Sequence, residues 1–269
     1  MTHQQVLDKL GHQALIQAID DDLARLTQQA MAEEKHGHIN NQLSYVLPPL
    51  LTRWNCVLNA GTALKDHYKQ LTTLVLATLL HKYGFADAKI TANANQAIDE
   101  LNRHVILSDD FYRKSTDIKQ LLATAPSPLK KRPSVSAAVT FYRAQDVVSV
   151  QVGNRFYAAY VYSIIGINES PVIGFYNGVF HKQPSMKDLA SLTAKGMVYN
   201  DGQERISHFS VYGMKFMPDP ANQIHLVEAG VKNPPSDAHL GEPVGLYTVY
   251  DLFRLQDTTE KMFINQHKK

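Results

Sequence analysis

"DVVSVQVGNRFYAAYVYSII", residues 146–165, decides the fold class of the second half of the chain. Val148, Val150 and Val152 share one face of an extended strand, and Val147, Ser149 and Gln151 share the other. Gly153-Asn154 supplies the small residues that a tight hairpin needs. The return strand carries Phe156, Ala158, Tyr160 and Tyr162 on one face and Tyr157, Ala159 and Val161 on the opposite one. Arg155, Tyr157, Tyr160 and Tyr162 cannot all point into a one-sided core, so the first strand reads as core and the turn with the second strand as a binding face.

Downstream, the period of two continues. A third strand is expected at "PVIGFYNGVF" (171–180), and further strands at 208–216, 223–229 and 244–255. Nine of the thirteen tyrosines fall in this half, as suits a pleated, half-buried surface. Between strands, "PSMKDLASL" (184–192) offers Ser185 as an N-cap with Asp188 three residues on, the start of one short helix. A strongly curved sheet or a small barrel accommodates these elements.

Upstream, the spacing is helical. Val6, Leu7, Leu10, Leu15, Ile19, Leu23 and Leu26 form one stripe, interrupted at Gly11. A second helix is expected to begin at Pro48-Pro49 and a third to run from Leu64 to Tyr83-Gly84, with a fourth over 92–103 capped by Thr91. The proline-rich, basic stretch "ATAPSPLKKRPS" (123–134) punctuates rather than packs. The expected organisation is α+β: a helical bundle over 1–122, a linker over 123–134 and a β-rich domain over 135–269.

Charge narrows the function classes. The 27 basic and 25 acidic side chains leave a formal charge of +2, divided as 12 basic and 13 acidic before residue 125, then 15 and 12 after it. Neither half is a polycation that tracks phosphates. A single cysteine, Cys56, rules out an internal disulfide and a zinc site built on several thiolates. "MTHQQVLDKLGHQ" has neither a basic region nor a continuous apolar run, and "LTTLVLATLL" (71–80) falls short of a membrane span, so the expected compartment is the cytoplasm.

The chain carries no G-x-S-x-G elbow, Gly-rich phosphate loop, H-E-x-x-H or dinucleotide fingerprint, which argues against an enzyme. Cys56 is the one candidate nucleophile, for a hydrolase in which a distant histidine would activate it; the competing reading is a small buried hydrophobe beside Trp54 and Val57. His36 and His38 make a thin ligand set without a paired carboxylate and read as a solvated loop. Asp146 reads as a turn or strand-entry residue. Aromatics interleaved with basic residues leave a nucleic-acid-binding or regulatory module as an alternative.

The order "AQDVVSVQVGNRFYAAYV", "VIGFYNGVF", "PSMKDLASL", "ISHFSVYGMKF" resembles immunity protein family twenty-six of bacterial polymorphic-toxin systems. Matching features are the acid before an apolar strand (Asp146), the G-x-R-aromatic turn (Gly153, Arg155, Phe156), the aromatic pair Phe175-Tyr176 and the proline leading a short helix (Pro184). Gln145 and Ala159 stand where the family often has glycine. The likeness covers roughly residues 140–230 and leaves the helical half outside. It implies an SH3-like β-domain that binds and neutralises a cognate protein toxin delivered between competing bacteria, with no catalytic set, cofactor or metal. The expected contact residues are Arg155, Tyr157, Tyr160, Tyr162 and Tyr176.

Overall fold

The computed structural model describes residues 1–104, 107–135, 139–166 and 169–264. The chain is α+β and divides into two units, Met1–Ser136 and Ala137–Lys269.

In the first unit, Gly11 takes φ 70° and separates α1 (His3–Leu10) from α2 (Gln13–Lys35). α3 (Gln42–Leu58) begins ahead of Pro48-Pro49 rather than at them, because the Asn41 side chain already caps it by accepting from Ser44 N at 3.2 Å. The prolines are carried inside the helix, whose Val46, Leu50, Trp54 and Val57 are buried, and that burial offsets the two missing N–H donors. A 3₁₀ turn (Gly61–Ala63) leads into α4 (Asp66–Lys82), buried almost continuously from Leu71 to His81. At its end Gly84 has φ 88°, and a Cβ there would lie 2.8 Å from Pro128 Cα. Residues 127–128 of the proline-rich stretch therefore rest directly on this unit's backbone.

α5 (Ala88–Arg103) starts earlier than expected, since Asp87 rather than Thr91 is the cap and accepts from Ile90 N at 2.9 Å. α6 (Asp109–Ala123) was not anticipated; Ser108 caps it, and it buries Phe111, Ile118 and Leu122. Between α2 and α3 sits a buried ion pair: one oxygen of Asp22 accepts from Arg53 Nε at 2.8 Å and from Trp54 Nε1 at 3.0 Å. No helix among the described residues is long and apolar enough to cross a membrane.

The second unit is built on six strands: β1 (Val147–Val152), β2 (Arg155–Ile165), β3 (Ser170–Phe175), β6 (Phe209–Tyr212), β7 (Ile224–Glu228) and β8 (Thr248–Asp251). β4 (Met197–Val198) and β5 (Glu204–Arg205) pair separately. The sheet order is β7-β1-β2-β3-β6-β8, antiparallel throughout except for the parallel β6–β8 pair. Gly153, with φ 57°, turns β1 into β2 in the expected two-residue hairpin, Val152 opposite Arg155. The sheet is open and not a barrel, because β7 and β8 occupy opposite edges.

The second helix of this unit covers one face of the sheet. Residues 244–255, expected as one strand, divide at Asp251, whose side chain accepts from Arg254 N at 2.8 Å and starts α8 (Leu252–Phe263). α8 packs Leu252, Leu255 and Phe263 onto one face of the sheet, against Val148, Val150, Tyr157, Val161, Ile173 and Phe175. The opposite face buries Val147, Ala158, Tyr160 and Tyr176 under Leu189 of α7 (Met186–Leu189). Ser185 and Asp188 begin α7 as expected, Ser185 N donating to Asp188 at 2.8 Å.

Candidate partner-binding face of the sheet

The alternation of β2 has the expected parity, but both of its faces are covered, and this redistributes the candidate residues. Tyr157 is fully buried, its ring centroid 4.9 Å from that of Phe263. It cannot meet a partner, and the expectation at that position is corrected. Burial pushes its phenol up to about 12, with the Glu260 carboxylate adding to the rise and Arg155 opposing it. Arg155 is half-exposed at the start of β2, where its Nη1 lies 2.8 Å from Nε2 of His181. It stands apart from Tyr162, since seven residues of extended chain between them span about 23 Å.

Tyr160, Tyr162 and Tyr176 do come together, on the face opposite α8. Tyr160 is buried and its hydroxyl donates to Val231 O at 2.9 Å, which makes it chiefly a strut for the 231 loop. Tyr176 is likewise buried, and its phenol is pushed up to about 12 by burial and by Tyr160. Tyr162 is only half-buried; it meets Tyr160 edge-on at 5.0 Å and lies 4.2 Å from the His208 ring. Gly174 makes that overlap possible, as a Cβ there would sit 2.9 Å from Tyr162 Cε2 and 3.0 Å from His208 Cδ2.

Register links this cluster to the open edge. Tyr160 stands opposite Gly174, and Ile173 opposite Phe209, so one further step puts Gly174 beside His208. Phe209 pairs with Thr248, and Thr248 N donates to His208 O at 2.9 Å, which puts Tyr247 next in the row. The row Tyr160, Gly174, His208, Tyr247 thus crosses from the centre of the sheet to its β8 edge. Side chains there are exposed: Val244 by 68%, Leu246 by 86%, Tyr247 by 41% and Val249 by 59%. No charged residue lies between Glu242 and Asp251. Of these exposed side chains only Val249 lies in β8 itself, the others forming the uncharged approach to it, and an edge strand entered without a guarding charge is open to strand addition. The sequence placed a strand here but hid its position, because an edge is a property of the sheet order and not of the segment.

Electrostatically the Tyr162–His208 pair is neutral at physiological pH. Burial raises the Tyr162 phenol well above its ordinary value, with Asp237, Tyr176 and Tyr160 adding to the rise, and burial lowers the His208 imidazole against the opposing pull of Asp237. These groups can donate and accept hydrogen bonds but carry no charge for a partner to neutralise. The His208 shift has a stability consequence. The unfolded imidazole takes up its proton near 6.5 while the folded one resists, so stability is lost as pH falls below about 6.5 towards the lowered folded value. Urea midpoints between about pH 7.5 and about pH 5 should fall for the parent chain and fall less for His208→Gln. His3 and His225 are shifted in the same direction, so the difference between the two slopes is the readout.

Compared with known proteins, the chain matches no family model, no curated protein and no solved structure.

Of the remaining sequence candidates, Cys56, His36 and His38 lie in the helical unit and Asp146 in the second. Cys56 is buried, with Sγ 3.8 Å from Thr52 O one helical turn back, the setting of a packed thiol. His38 Nδ1 lies 2.6 Å from Glu33 Oε2, and among the described residues no three His, Cys, Asp or Glu side chains are grouped to hold a metal ion. Asp146 acts as a turn residue: its carboxylate accepts from Arg143 N at 2.8 Å at the entry to β1.

Gln145 is the position sequence reasoning undervalued. It takes φ 75°, a left-handed conformation that favours glycine, while its N–H donates to Val161 O and its carbonyl accepts from Val231 N, both at 2.8 Å. Gln145→Gly should therefore raise the stability of the chain by roughly 0.5–1 kcal/mol, the relief of the strained φ exceeding the added unfolded-state freedom. Chemical denaturation checks this directly, since Gln145→Ala should show no such gain.

Proposed function

We propose that this chain is a cytoplasmic immunity protein, which binds a cognate bacterial toxin domain and blocks its active site or functional surface. The observation that carries the reading is the uncharged, exposed segment Val244 to Val249, which leads into the edge strand β8 and is continuous with the half-buried Tyr162–His208 pair. A toxin strand added to β8 would gain main-chain hydrogen bonds along the edge and side-chain contacts with Leu246, Tyr247 and Val249.

The resemblance draws support from where its motif residues lie. Asp146 closes the turn into β1, Gly153 turns the hairpin, Phe175 fills the α8-side core and buried Pro184 precedes α7. Gln145 holds a glycine-like backbone where the family often has glycine. Inhibition by occlusion requires no cofactor, and a few apolar and aromatic anchors amid ~800 Å² of buried surface suffice for tight binding.

Co-expression with the toxin encoded by the neighbouring gene tests the reading. Growth should be restored by the parent chain, and a toxin that kills equally with and without it would end the proposal.

A further inference from the structure

A second site lies in the helical unit and is independent of the β8 edge. α3 commits one stripe, Val46, Leu50, Trp54 and Val57, to the core. A second stripe, Leu47, Leu51 and Leu58, is left half-buried and faces α5 across α4, lining a cleft of about 530 Å³. Leu76 of α4 and Ile90 and Ala97 of α5 add to its apolar lining. That volume lies within the usual range of ligand-binding clefts.

The polar lining carries the chemistry. Five carboxamides border the cleft: Asn55 of α3 and Asn59 just past its end, Gln70 from α4, and Asn93 and Gln96 from α5. Each offers one carbonyl acceptor and an NH₂ donor, the same complement as a peptide group. The charged lining residues balance, Lys69 and Lys89 against Asp87 and Glu100. Most of these charges already have work: Lys69 pairs with Asp66, Glu100 with Arg103, and Asp87 caps α5. An anionic or cationic ligand would find no net opposite charge, and a fatty chain would leave the amides without a role.

We infer that this cleft binds an extended, uncharged peptide segment of a partner protein, its main chain held between the α3 and α5 carboxamides and its alternate apolar side chains seated on the leucines. Dimensions agree. From Leu47 to Asn59 the α3 wall is about 18 Å long, and five residues of extended peptide span about 17 Å.

The probe is a set of acetylated, amidated pentapeptides with Leu, Val or Phe at positions one, three and five and Ser between, titrated into the full chain. Leucine methyl resonances of Leu51, Leu58 and Leu76 report occupancy. At least one peptide should saturate them with a Kd below about 1 mM. The double variant Asn55→Ala/Asn93→Ala should weaken that peptide about tenfold or more, as should N-methylation of its central amides. Decanoate serves as the apolar control and should shift these methyls weakly and equally in parent and variant. The inference is overturned if no peptide shifts the cleft methyls, or if the variant and N-methylation leave binding unchanged. A β8-edge variant should bind the same peptide normally, so failure here and failure of the toxin reading are separable.

Discussion

Leu246→Asp combined with Val249→Lys should abolish protection against the cognate toxin while leaving the fold intact. Both side chains are more than half exposed, so their replacement removes little buried area and should shift thermal stability by no more than a few degrees. At an interface centre the same two positions would be desolvated anchors, and truncating such anchors typically costs ~2–4 kcal/mol each. Two charges placed where the toxin strand would dock therefore predict at least a hundredfold loss of affinity, read by calorimetry or by loss of growth rescue. The control is Tyr112→Ala, an equally exposed aromatic in the helical unit, which should protect as the parent does.

Asp22→Ala should be the most damaging single substitution in the helical unit. It strips Arg53 and Trp54 Nε1 of a shared acceptor in a site where both Arg53 and Asp22 are buried. Removing one partner of such a pair leaves a buried charge uncompensated, at a cost of about 3–5 kcal/mol. For a unit of this size that corresponds to a melting-temperature drop on the order of 10 °C or more. Asp22→Asn retains an acceptor for Trp54 and should lose less. Because the substituted residue lies outside the sheet, the surviving folded fraction should still bind toxin with the parent's affinity.

Local signals and sheet-level facts were unequally legible in the sequence. The hairpin over 147–165 could be read residue by residue, because a period of two fixes which side chains share a face. The Gly11 break and the Ser185–Asp188 start were equally plain, since capping chemistry is local. What periodicity could not supply was how many faces are covered. The tyrosines of β2 looked too numerous for a one-sided core, yet α8 and the α7 side bury Tyr157 and Tyr160 on opposite faces of one central strand.

α8 itself was hidden behind the strand-like "LYTVYDLF", because only the Asp251 cap marks the change of period. In the helical half, Asn41 and Asp87 overrode the more conspicuous Pro48 and Thr91 as start signals. For the candidate face, Tyr162 stood out as an aromatic and is half-buried, Tyr176 stood out likewise but is buried, and the exposure of Leu246, Tyr247 and Val249 could not be read. Val249 lies in β8, the last strand in the sheet order, and Leu246 and Tyr247 lead into it, a position that depends on long-range pairing with β6.

The most direct test of binding through the β8 edge is amide hydrogen exchange on the chain alone and in complex with the toxin encoded beside its gene. Strand addition predicts that amides within residues 246–250 slow by tenfold or more on binding, while those of β7 at the other edge are unchanged. Exchange at 246–250 that is the same in the free and bound chain would contradict the account, wherever else protection appeared.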